Sequence, residues 1–201
     1  IMGQNGLSAV AVGGDITAFM TFIAIGFSNA GQVIISRYIG AGRRDKIGKF
    51  VSTMFSFLMS CAVVISIFCI FFRSELLKLM NAPDEAFSEA LNYSTVCIIG
   101  LVFIYGYNIV SAILRGMGDS KRPLIFVGVA AVINVILDIV FVAFLRMGAG
   151  GAALATVISQ AVSCISCAFF LSKHKSQFEL NIKLRDFVKW DKTMLSDLVK
   201  L

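Results

Sequence analysis

The chain has 201 residues, 58% of them apolar and 15% charged, and a formal net charge of +6; its mean hydropathy is +0.86. That balance lies outside the range of a soluble globular domain. It also argues against nucleic acid as a partner, because the lysines and arginines are interrupted by long apolar runs rather than gathered on one face with stacking aromatics. A bilayer core needs about 20 mostly apolar residues per helix. Such runs predict five spanning helices, at about 7–39, 47–72, 88–115, 121–145 and 148–172, an all-α polytopic bundle with the lipid bilayer as its partner. Residues 1–172 therefore read as transmembrane and 173–201 as a cytoplasmic amphipathic linker. The opening "IMGQNGLSAVAVGG" has no basic leader or cleavage site, and the chain stops inside an amphipathic stretch, so it reads as a fragment.

Along the first span, Ser28, Gln32 and Ser36 recur every four residues, a stripe suited equally to lining a cleft and to joining helices. The loop after it, "RYIGAGRRDKIGK", contributes Arg37, Arg43, Arg44, Lys46 and Lys49. On the second span Ser52, Ser56 and Ser60 repeat the same spacing, which reads as close packing. The next loop, "RSELLKLMNAPDEAFSEAL", is acidic and leads to a third span on which Tyr105 and Asn108, three residues apart, make a small polar stripe. "RGMGDSKRP" follows, with Arg115, Lys121 and Arg122. In both basic loops glycine suits a left-handed helix cap and arginine suits the helix's negative end; neither follows a strand as a phosphate-binding loop would. Asp119 and Pro123 suit the first turn of the fourth span.

The fourth span carries Asn134 and Asp138 in the middle of "AAVINVILDIVFVAF". The turn "RMGAGG" then leads into "GAGGAALA", where Gly148 and Ala152 have the spacing of a close helix contact. Thr156, Gln160 and Ser163 form a polar stripe on the fifth span. The five cysteines all lie in apolar runs and read as packing residues, including Cys164 and Cys167 despite their CxxC spacing. Lone His174 sits between two lysines just past the last span. In the tail, Trp190, Met194, Leu198 and Leu201 share one helical face among lysines, which suggests a helix lying on the membrane surface. Only Arg73, Lys78 and Arg146 of the 18 lysines and arginines fall on the other side of the membrane. That bias places the first loop, the third loop and the tail in the cytoplasm.

An acid within a spanning helix costs roughly 2.5–3.5 kcal/mol on insertion scales, so it normally faces a bundle interior and serves a pathway or a partner. Asn134 and Asp138, four residues apart, share one helix face. No basic residue lies at matching depth to form a permanent ion pair. The acid must be neutralised by a proton or by a bound cation such as Na⁺, and either makes it a cation switch. A protonated acid that merely bonds a neighbouring helix is the plainer alternative, but such a bond contributes only about 0.6 kcal/mol on average.

"GQVIISRYIGAGRRDK", "AILRGMGDSKRP" and "INVILDIVF…MGAGGAALATVISQ", in this order, resemble the N-terminal lobe of the multidrug and toxic compound extrusion (MATE) family of cation-coupled antiporters, over roughly Gly6 to Lys175. The resemblance implies the second to sixth helices of a twelve-helix, two-lobe transporter whose C-terminal lobe is missing here. It implies export of drugs or other organic, often cationic, compounds in exchange for H⁺ or Na⁺ by alternating access, from a bacterial inner membrane. It also implies a cation-coupling site at Asp138, Asn134 and Thr156, with Asn108, Tyr105, Gln160, Gln32 and Ser28 as cleft-lining candidates. The family's other acid of that site belongs to the first helix, which this chain lacks. No nucleotide or cofactor motif is present, so nothing beyond a coupling ion is expected. A lipid-linked oligosaccharide flippase of the same superfamily is the alternative, though the spans lack the cationic residues a pyrophosphate would require. An intramembrane enzyme would need paired catalytic groups, and Asp138 is the single acid embedded in the spans.

Overall fold

A computed structural model describes residues 3–176, 178, 180 and 191–200, and among these it is all helix and loop. Its five long helices are α1 (Gln4–Gly40), α2 (Ile47–Phe71), α4 (Phe87–Gly116), α5 (Lys121–Asp138, continued by a π-helical turn, Ile139–Phe144) and α6 (Gly148–Lys173). All five are long and apolar enough to cross a membrane, where helix is favoured because every backbone N–H and C=O must be satisfied within the segment. Among the described residues there are two short α-helices besides, α3 (Arg73–Leu79) in the α2–α4 loop and α7 (Lys192–Val199) in the tail.

α4 is the hub. It packs against α1, α2 and α6, whereas α5 packs mainly on α6 and is the most exposed span. Small residues set the α4–α6 approach: a Cβ on Gly100 would stand 2.3 Å from Val157 Cγ2, and one on Gly106 would stand 2.6 Å from Cys164 Sγ. Hydrogen bonds add ties between helices. The Tyr105 hydroxyl donates to the Met20 carbonyl (3.0 Å), Ser66 to the Ile98 carbonyl (3.0 Å) and Ser36 to the Gly116 carbonyl (3.1 Å). The hydroxyls of Thr17, Thr21, Ser52 and Thr95 instead bond the carbonyl one turn back in their own helices, the usual resolution for a hydroxyl without a partner in lipid.

The two basic loops end their helices in the same way. Gly42 (φ 69°) and Gly118 (φ 92°) take the left-handed conformation. Around them Arg43 N–H reaches the Tyr38 carbonyl and Asp119 N–H reaches the Leu114 carbonyl, closing the helix ends through a glycine that pays no steric penalty. Asp119 also accepts from the Arg122 N–H at 3.3 Å and pairs with its guanidinium.

Two expectations need correcting. At the start of α6 the fully buried alanines are Ala149 and Ala153, packed with Ala90, Tyr93 and Cys97, while Ala152 is only partly buried at the edge of that cluster, so the pair Gly148 and Ala152 is not the centre of the contact. Gly148 has φ 59° and stands at the junction of the turn with α6, as the helix's first residue, and "GAGGAALA" offers small residues in more than one register, so spacing alone did not select the contact. The tail helix does not present its apolar face to the membrane surface. Met194 and Leu198 are buried with Ile34, Ile47, Phe50 and Val51 against the ends of α1 and α2. Asp191 caps α7, accepting from Thr193 N–H (2.9 Å) and Met194 N–H (3.3 Å), and its other oxygen pairs with Lys49 at 2.5 Å. Trp190 and Leu201, assigned to the same face, lie outside the described residues.

Candidate functional site

α5 sorts its residues by depth of burial. Val132, Val135, Ile136 and Ile139 are more than half exposed, while Asn134 and Asp138, on the opposite face, are half-buried. Asp138 does not sit in the middle of the span. It is the last residue of the regular α-helix, immediately before the π-helical turn, a distortion that recurs at functional sites in helices. Leu145 N–H bonds the Val140 carbonyl and Met147 N–H bonds the Phe141 carbonyl, both at 2.9 Å, so the turn hooks directly into the tight connection to α6.

Asp138 lines a groove of about 340 Å³ between the start of α1, the π turn and the start of α6. The other lining residues are Leu7, Val10, Ile139, Val142, Ala143 and Ala152, all apolar. Asp138 Oδ1 and Asn134 Nδ2 are buried without a hydrogen-bond partner, and the described ion pairs, Lys49–Asp191 and Arg122–Asp119, do not involve Asp138. An acid so placed can carry a proton as a neutral group or hold a cation, and the groove offers it no competing positive charge.

Thr156 lies on α6 one turn beyond the groove residue Ala152, to whose carbonyl its hydroxyl donates at 3.0 Å; no hydrogen bond links it to Asp138. Gln160 is half-buried a further turn along α6. The remaining candidates lie apart from the acid. Tyr105 is fully buried and tied to α1, so it belongs to the packing of the bundle rather than to a cleft wall; the alternation of polar and apolar residues could not separate those two roles. Asn108 donates to its own helix at the Ile104 carbonyl (2.8 Å). Ser28 is buried with its hydroxyl unpartnered.

Gln32 accepts from Arg115 Nε at 2.8 Å, and Arg115 also donates to Ser111 of its own helix, so one hydrogen bond ties the basic end of α4 to α1 while the other holds the guanidinium in place. Sequence reasoning treated Arg115 only as a helix-end charge; the arginine's partner lies 83 residues away, and no local pattern announces it. It also missed Leu7 and Val10, which line the groove with the acid, because leucine and valine in an apolar run carry no distinguishing mark.

The MatE family model matches residues 1–140. The chain belongs to the MatE family. Among curated relatives it is similar to the probable multidrug resistance protein YpnP of Bacillus subtilis (strain 168), 29% identical over 195 residues that cover 97% of this chain and 43% of that protein. It is also similar to the multidrug export protein MepA of Staphylococcus aureus (strain NCTC 8325 / PS 47), 25% identical over 197 residues, with coverage of 97% and 43%. Among solved structures, the inward-facing conformation of a multidrug resistance MATE family transporter of the MOP superfamily superposes with a TM-score of 0.88 at 28% identity, over 98% of this chain and 44% of that one. The outward-facing conformation gives 0.89 at 28% identity, over 100% and 44%. This MatE chain thus spans less than half the length of the relatives it matches. It is a multi-pass membrane protein of a transporter family, not an enzyme.

Proposed function

We propose that this MatE chain is the N-terminal lobe of a multidrug efflux antiporter that exports organic, often cationic, compounds in exchange for H⁺ or Na⁺, with its basic loops and tail in the cytoplasm of a bacterial inner membrane. The observation that carries the reading is Asp138: a buried, unpartnered carboxylate oxygen in an otherwise apolar groove, with the unpartnered amide of Asn134 one turn away. Binding a cation there changes the charge of the lobe's interior. A cation with different affinity for two arrangements of the lobes shifts the equilibrium between them, which is what coupling requires. The near-equal likeness to an inward-facing and an outward-facing transporter supports a lobe that moves as one body against a second lobe. Thr156 and Gln160 extend the polar path along α6, and half-buried Gln32 and Asn108 are the remaining candidates for lining the cleft. The small organic substrate passes between this lobe and the C-terminal one.

The test is efflux of a fluorescent cationic dye from vesicles containing the full-length transporter, under separately imposed H⁺ and Na⁺ gradients. Asp138→Asn abolishes the dependence on one of the two gradients while protein still reaches the membrane, and that gradient names the ion. Transport by Asp138→Asn that responds to both gradients as the parent does would refute the coupling role.

A further inference from the structure

Three residues after Asp138, the π turn lies close against the start of α6. A Cβ built on Gly151 would stand 2.8 Å from Met147 Cβ, 3.1 Å from Phe141 Cβ and 3.3 Å from the Phe141 carbonyl carbon. These are backbone and Cβ atoms, not the movable ends of side chains, so no rotamer change relieves the overlap. Phe141 is part of the π-helical turn that begins immediately after Asp138, and its carbonyl receives the Met147 N–H that hooks the turn into the connection. Gly151 is the seat on which that turn rests. One residue earlier, Gly150 has nothing within 4 Å of its own Cβ position, so the two neighbouring glycines differ in tertiary contact while sharing helix and composition.

From this geometry we propose that Gly151 is a positioning residue for the acid site. By letting Phe141 lie against the α6 backbone, it permits the π turn and so sets how the Asp138 carboxylate faces the groove. The inference rests on the reading of Asp138 as the cation site. A methyl at 151 pushes Phe141 off α6, and the end of α5 carrying Asp138 shifts with it relative to α1 and α6. The Asp138 carboxylate then meets the cation in altered register, while the outward apolar face of α5 is unchanged.

The experiment compares Gly151→Ala, Gly150→Ala and Asp138→Asn in the full-length transporter. It measures dye efflux against the concentration of the coupling cation, alongside the amount of folded protein. Gly151→Ala raises the half-saturating cation concentration by about tenfold, the lower end of what loss of a supporting contact costs a cation site, and Gly150→Ala leaves it unchanged. Phe141→Gly removes the same contact from the other side without adding bulk. It moves the half-saturating concentration in the same direction, and it decides the question if Gly151→Ala does not fold. If Gly151→Ala and Phe141→Gly both titrate like Gly150→Ala, the positioning role is refuted. If Asp138→Asn keeps the parent's cation dependence, the acid-site reading fails instead, and the two failures are told apart by which variant is silent.

Discussion

Replacing Gly100 by alanine tests whether glycine is what lets α4 meet α6. The added methyl would lie 2.3 Å from Val157 Cγ2, 2.9 Å from Cγ1 and 3.2 Å from Cβ, against an ordinary carbon–carbon contact of about 3.5–4.0 Å. Valine is stiff at χ1 in a helix, and both of its branches lie in the way, so rotation does not clear the space and the helices must separate. Overpacking of this kind costs about 1–3 kcal/mol, offset in part by the roughly 1 kcal/mol that alanine gains over glycine in a helix. The expected net loss is about 1 kcal/mol. Val157→Ala removes both branches, so the double variant is relieved of the overlap while keeping the propensity gain, and the cycle shows a favourable coupling of about 2 kcal/mol, the overpacking cost itself. Unfolding of the full-length transporter in mixed micelles of rising SDS fraction, read by circular dichroism, measures each variant. Gly128→Ala on α5, where nothing lies within 4 Å, serves as the propensity control. Additivity of Gly100→Ala and Val157→Ala to within about 0.3–0.5 kcal/mol, or a Gly100→Ala as stable as Gly128→Ala, would refute the packing argument.

Other outcomes follow from the basic end of the bundle. Leu198→Asp, which puts a charge into a site that is 1% exposed, releases α7 and makes its backbone amides exchange with deuterium as fast as an unstructured segment, while exchange in α4 is unchanged; protected α7 amides in that variant would contradict the docking. Lys49, then the Thr193 hydroxyl and the N–H groups of Met194 and Thr193, hold the Asp191 carboxyl well below its ordinary value of 3.8. A depressed carboxylate contributes stability that is present above the ordinary value and lost as pH falls through the lower folded one. Protection of α7 is therefore flat between about pH 5 and 8 and declines only below about pH 4; a decline centred near neutrality would point to another group. Arg115→Ala leaves Gln32 and Ser111 without their donor and costs about 1–3 kcal/mol in the same SDS titration. Arg115→Lys recovers only part of this, because one ammonium cannot reproduce the planar fork.

Much of this architecture is legible in one dimension. Five apolar runs of spanning length, Gly42 and Gly118 among basic residues at helix ends, and an acid paired with an amide four residues before it are local facts. The bilayer turns each into structure: backbone groups must bond within their own segment, helix ends need caps, and an embedded acid needs a reason. Which face meets which neighbour is a different matter. In lipid the solvent is as apolar as the protein's own side chains, so a spanning helix carries no hydrophobic stripe marking its inner side. Nothing in the sequence therefore distinguished buried Tyr105 from a cleft-lining tyrosine, chose Ala149 and Ala153 over Gly148 and Ala152, or made Gly151 differ from Gly150. Those distinctions arise from close approach between backbones far apart in the chain. The π turn at Asp138 belongs with them: an extra residue in one helical turn has no sequence signature, and only the packing of Phe141 on Gly151 and the hook at Met147 place it where the acid is.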